Sequence, residues 1–130
     1  MIGIDTNVLV RFLIKDDETQ LYTAREFFNS LTEENQGYLT LVTVVELVWV
    51  LTRIYKQSRL RIAAFLDDLF EVESIAFQDS EAIYQALISY KNGTDFSDAL
   101  IKTLSRGAGC STVVTFDKKA AKSLGMQLLV

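Results

Sequence analysis

Residues 2–10 read IGIDTNVLV, an apolar run that halts at Asp5 and resumes at once in a different rhythm. Ile2 to Asp5 has the length of a short buried strand, and Asn7 to Lys15 carries apolar residues at helical spacing. A strand that runs straight into a helix is the first half of a βα unit, and it leaves an acid at the carboxyl end of the strand. The same grammar recurs near the other terminus. Ser111 to Phe116, STVVTF, is the clearest strand in the chain, stops at Asp117, and leads into the short helix DKKAAKSLG.

The segments between these two units alternate in the same way. Thr19 to Leu31 places Leu21, Ala24, Phe27, Phe28 and Leu31 on a helical stripe, TEENQG closes it, and a strand is expected near YLTLV, residues 38–42. Thr43 to Tyr55 is too long and too uniformly apolar for a strand and is expected to be a largely buried helix. Arg59 to Phe70 reads as a helix with Leu60, Ala63, Ala64, Leu66 and Leu69 apolar, followed by the strand SIAFQ, residues 74–78. Ser80 is expected to cap a helix running to Tyr90, Asn92-Gly93 to turn the chain, and Thr94 to Arg106 to form a helix closed by GAG. A strand MQLLV ends the chain. Alternation of this kind predicts an α/β fold of three layers, with a mostly parallel five-stranded sheet flanked by helices, in a single domain over residues 1–130.

Composition narrows the chemistry. The chain has 130 residues, 49% of them hydrophobic and 23% charged, which is the makeup of a globular protein with a packed core. With 13 Lys and Arg against 17 Asp and Glu, its net charge of −4 speaks against coating nucleic acid through bulk positive charge. There is no His, which removes Ser-His-Asp triads, His general bases and His-ligated metal sites. The one cysteine, Cys110, allows no internal disulfide and fits a reducing compartment. No basic leader precedes the first apolar run, and the stretch Leu39 to Leu51 is too short to span a bilayer, so a cytoplasmic protein without a membrane segment is expected.

The acids are what remains. In a parallel sheet, Asp5 and Asp117 would project from the strands' carboxyl edge, where such folds bind ligands, although each also stands where a helix N-cap belongs. Glu46 sits in LTLVTVVELVWVL with Val42, Thr43, Trp49 and Val50 as helical neighbours, so it has no basic partner there. A carboxylate in such surroundings lies near water or is compensated by a cation. In TDFSDALIKTL, Asp95 and Asp98 are one helical turn apart beside a core stripe of Phe96, Ala99, Leu100, Thr103 and Leu104. They could share a face, or Asp95 could cap the helix with Asp98 in its first turn. Oxygen donors without His or Cys suit Mg²⁺ or Mn²⁺. Removing these five from the 17 acids leaves 12 against 13 Lys and Arg, so the surplus negative charge resides in this set.

These residues resemble the PIN-domain nuclease family, and within it the VapC-type toxins of bacterial toxin-antitoxin pairs. IDTNVLV resembles the family's first-acid motif, TVVELVWVL its Glu helix, DFSDALI its third-acid motif and VVTFDKKA its fourth, in order along nearly the whole chain. The resemblance implies a metal-dependent endoribonuclease that inhibits translation, with Asp5, Glu46 and Asp98 as catalytic metal ligands and Asp117 as the more variable fourth. It implies accessory roles for Asp95, for Thr6 and Asn7 beside Asp5, and for Thr115 in orienting Asp117 or a metal-bound water. Thr43 stands where relatives often have Ser.

The same resemblance implies an Mg²⁺ or Mn²⁺ cofactor, products with 5′-phosphate and 3′-hydroxyl ends, and an RNA substrate. Arg53, Lys56, Arg59 and Arg61, and separately Lys118, Lys119 and Lys122, lie where phosphates could be tracked, or else form solvated surface. A cognate antitoxin and a homodimer are expected, the helices Leu21 to Leu31 and Leu60 to Phe70 carrying the apolar surplus. Two alternatives stay open: a catalytically silent PIN-fold binding module, and a haloacid-dehalogenase-type phosphatase. The phosphatase would want an Asp where the chain has Asn7.

Overall fold

Five strands and seven helices alternate along residues 1–130, all of which are described by the computed structural model. They group into two units, Met1–Gln78 and Asp79–Val130. The first holds β1 (Ile2–Gly3), α1 (Thr6–Leu13), α2 (Glu18–Ser30), β2 (Gly37–Leu39), α3 (Leu41–Arg53), α4 (Arg59–Glu71) and β3 (Ile75–Phe77). Its sheet has the order β1-β2-β3 with both pairings parallel; Ile2 lies opposite Gly37, and Gly37 opposite Ile75. Parallel neighbours need crossovers, and the α1-α2 and α3-α4 helix pairs supply them.

Leu9, Leu39, Val44, Leu47, Leu51, Ile62 and Leu66 are fully buried in this unit. Gly37, on β2, is buried and stands there for a steric reason. A Cβ there would lie 2.5 Å from Ile4 Cδ1, 2.9 Å from Leu31 Cδ1 and 3.1 Å from Ile75 Cδ1. The central strand thus carries no side chain at the point where three apolar ones converge.

The second unit contains α5 (Ser80–Lys91), α6 (Phe96–Gly107), β4 (Val114–Thr115), α7 (Lys118–Leu124) and β5 (Gln127–Leu128). β4 and β5 pair in parallel, Val114 opposite Gln127 and Thr115 opposite Leu128. α5 and α6 pack together, with Tyr90 edge-on to Phe96 at a 6.0 Å centroid separation. Gly93, at φ +103°, turns the chain between them. Phe96, Ala99 and Leu100 are buried as expected, whereas Thr103 and Leu104 are half-buried.

The fold is α/β with parallel strands, as the alternation predicts, and its five strands form a three-stranded and a two-stranded sheet. Every strand is shorter than its apolar run. YLTLV yields only Gly37–Leu39 because Thr40, rather than continuing the strand, caps α3 by accepting from the Thr43 N–H at 3.1 Å. IGID is not a buried strand: β1 is at the margin of its sheet, Ile2 and Gly3 are exposed, and only Ile4 is buried. STVVTF contributes Val114–Thr115 alone, in a two-stranded sheet, and Val114 and Phe116 are exposed. The cap of α5 is Asp79 in the left-handed region at φ +54°, accepting from the Ala82 N–H at 3.1 Å; Ser80 is the first helical residue. Leu60, in the first turn of α4, is 82% exposed and outside the core stripe.

Candidate active site

In the first unit, the turn from β1 into α1 carries the candidate residues. Asp5 caps α1, its Oδ1 accepting from the Thr6 N–H at 2.7 Å. Thr6 is buried, and its hydroxyl donates to Glu46 Oε1 at 2.5 Å across 40 residues of sequence. One threonine therefore holds both carboxylates, Asp5 through its backbone and Glu46 through its side chain. A cavity of about 320 Å³ opens beside them, lined by Asp5, Thr6, Asn7, Arg11, Glu46 and Tyr55 among others. Thr43, one turn before Glu46, is buried and bonds the Ile4 carbonyl at 3.4 Å, so α3 is also pinned to the end of β1.

Glu46 is exposed, although it lies within α3 and not at its end. α3 puts Thr43, Val44, Leu47, Val48 and Leu51 into the core, and the opposite stripe, with Val42 71% and Trp49 55% exposed, faces out together with Glu46. The helix is apolar on both faces, so hydropathy alone does not report which one is covered. The Thr6 hydroxyl donates to this carboxylate, which is exposed to solvent.

The second unit holds the remaining acids at two helix starts. Asp95 caps α6 by accepting from the Asp98 N–H at 2.9 Å. Asp98, half-buried in the first turn, has its carboxyl pushed up from the usual range, first by burial and then by the charges of Asp95 and Asp117. Asp117 caps α7 through bonds from the Lys119 N–H at 2.8 Å and the Ala120 N–H at 3.1 Å. The Thr115 hydroxyl accepts from the Asp117 backbone N–H at 3.0 Å, gripping the main chain and leaving the carboxylate alone.

Of the alternatives the sequence leaves open, capping is realised at three of these acids: Asp5, Asp95 and Asp117 each cap a helix. All the candidate donors are carboxylate oxygens, the hard set that Mg²⁺ and Mn²⁺ favour. In neither unit do three acids or thiols by themselves close into a group that could hold an ion.

Two residues on the cavity were not singled out from sequence. Arg11 Nη1 donates to Asp16 Oδ1 at 3.1 Å and to the Tyr55 hydroxyl at 3.2 Å, and this contact with Tyr55 is the main reason the guanidinium holds its proton more tightly than usual. Its one sequence signal is a cation interrupting the apolar run of the first helix. Tyr55 gives none, since it lies past the end of α3 and reaches Arg11 only through the fold.

Residues 2–123 match the model of the PIN domain family, and the chain belongs to that family. It is 32% identical over 125 residues to a VapC ribonuclease from Aquifex aeolicus (strain VF5), covering 92% of this chain and 89% of that protein. The likeness to VapC-type PIN nucleases thus extends over nearly all of the sequence.

Proposed function

We propose that this protein is a metal-dependent endoribonuclease toxin of a toxin-antitoxin pair, which hydrolyses RNA phosphodiester bonds and so inhibits translation. The observation that carries the reading is its likeness to a VapC ribonuclease over 92% of the chain. Asp5, Glu46, Asp98 and Asp117 all lie within the residues that match the family. They form the proposed ligand set, Asp117 being the more variable member, with Asp95, Thr6, Asn7 and Thr115 in support. Mg²⁺ or Mn²⁺, when bound, supplies a Lewis acid that lowers the pKa of water and offsets charge on the phosphate. Thr6 fixes the orientation of two of the carboxylates, and Thr115 sets the main chain from which Asp117 projects. No side chain need act as nucleophile, which agrees with a chain that lacks His.

A homodimer and a cognate antitoxin belong to the same reading. Tyr22 on α2 and Leu60 on α4 are 68% and 82% exposed, apolar surface on the two helices expected to meet a partner. No helix is long and apolar enough to cross a membrane, and the proposed setting is the cytoplasm.

The test is antitoxin-free protein incubated with total RNA. Cleavage is expected with Mg²⁺ or Mn²⁺, not with Ca²⁺ and not in EDTA, leaving discrete fragments with 5′-phosphates. Fragments with 2′,3′-cyclic phosphates would overturn the mechanism, because they make the RNA's own 2′-hydroxyl the nucleophile. A silent binding module is the outcome if Mn²⁺ neither binds nor supports cutting.

A further inference from the structure

The cavity beside Asp5 and Glu46 has a second wall to which hydrolysis assigns no task. Val10, Val50 and Ile54 give it apolar surface, and Tyr55 an aromatic ring. Arg11, in the last turn of α1, is its only cationic lining residue. Both of Arg11's bonds, to Asp16 and to Tyr55, are made by Nη1. A guanidinium carries five N–H donors in a planar fork, so the tether fixes the group while its Nε–Nη2 edge remains available. That edge matches two phosphate oxygens side by side.

Charge decides the occupant. Asp5 and Glu46, which line the same cavity, repel a phosphate, and a cation held at a fixed place there offsets that repulsion. An apolar wall with a tyrosine ring suits a nucleobase that has left its stack, which only single-stranded RNA presents cheaply. We propose that this cavity holds one nucleotide of single-stranded RNA, its phosphate gripped by the free edge of Arg11, with Tyr55 and Asp16 as positioning residues for the guanidinium. The inference rests on the RNA-cleaving reading and adds the residue that seats the strand.

A structural Arg11, merely joining the α1–α2 connection to the end of α3, would change melting and nothing else. Binding of a labelled single-stranded oligoribonucleotide, measured in EDTA by fluorescence anisotropy over a salt series, separates the two. Arg11→Ala is expected to weaken binding about tenfold and to lower the slope of log affinity against log salt by about 0.7, one phosphate contact on a single strand. Arg11→Lys should keep the slope and bind several-fold more weakly, because the charge stays and the fork is lost. Tyr55→Phe should weaken binding by a smaller factor at unchanged slope.

Unchanged affinity and slope in a folded Arg11→Ala would overturn the proposal, as would weaker binding at the wild-type slope. If Arg11→Ala fails to fold, wild-type binding by both Arg11→Lys and Tyr55→Phe overturns it instead. Wild-type protein that cuts RNA with Arg11-independent binding sinks this inference and leaves the ribonuclease reading standing. Protein that binds RNA through Arg11 and cuts none in Mn²⁺ does the reverse.

Discussion

Thr6 donates its hydroxyl to the Glu46 carboxylate over 2.5 Å, while its backbone N–H is held by Asp5 over 2.7 Å. The residue is buried although both carboxylates are exposed. On the proposed function, a polar side chain placed in the core to aim an acid that faces water is expected to matter more for cleavage than for stability.

Thr6→Val tests that division. The replacement keeps the shape and removes one hydrogen bond to a group that water can re-solvate, so stability should fall by only about 1 kcal/mol in urea denaturation. RNA cleavage should fall by about tenfold or more, the usual cost of losing a group that orients a metal ligand. Thr6→Ser, which retains the hydroxyl, should restore most of the activity. A valine variant as active as wild type, with the loss falling on the serine variant instead, would mean that the methyl group, not the hydroxyl, is what matters.

Gly37→Ala probes the packing that holds β2 in place. A methyl group there meets the tips of Ile4, Leu31 and Ile75 at 2.5 to 3.1 Å, and overpacking of this kind costs about 1–3 kcal/mol. Gly3→Ala is the control, since a Cβ at Gly3 meets nothing within 4 Å. Thermal melts should show a clear drop for the first variant and a small change for the second. A neutral Gly37→Ala would mean that the three side chains withdraw freely.

Asp117 serves a cap and, by proposal, a site, and two substitutions separate the roles. Asp117→Asn can still accept from the Lys119 and Ala120 N–H groups, so it should melt close to wild type. Asp117→Ala should lose about 1 kcal/mol. Both should cleave RNA more slowly. An alanine variant as stable as wild type would remove the capping role, and an asparagine variant of full activity would remove the metal role.

These dual roles explain what the sequence could and could not tell. The βα units that begin the chain and surround Asp117 were legible because each joins a short apolar run, an acid and a helical stripe, and the same Asp satisfies a cap and a motif. Glu46 was legible as a motif residue, but whether it met water was left open, since α3 is apolar on both faces. Strand lengths were overestimated because Thr40 and the sheet margins at β1 and β4 stop pairing before hydropathy falls. Arg11 and Tyr55 are 44 residues apart and join only through the fold.

Asp98 links site chemistry to stability through pH. Its carboxyl titrates above the ordinary 3.8 because burial, then Asp95 and Asp117, disfavour the charge. The folded chain therefore binds this proton more tightly than the unfolded chain does. The cost to stability is fully present above the raised pKa and disappears as pH falls through it toward the ordinary value. Asp98→Asn removes the cost at every pH while leaving the main-chain bond to Asp95 in place. In EDTA at neutral pH the variant should melt above wild type, with the difference shrinking on acidification. Added Mn²⁺ should reverse the order, because wild type gains binding energy that the variant cannot. Scanning calorimetry over a pH series, with and without Mn²⁺, reads both effects. A variant that melts several degrees lower in EDTA at neutral pH would make the Asp98 carboxylate a structural element of α6 and remove it from the proposed ligand set.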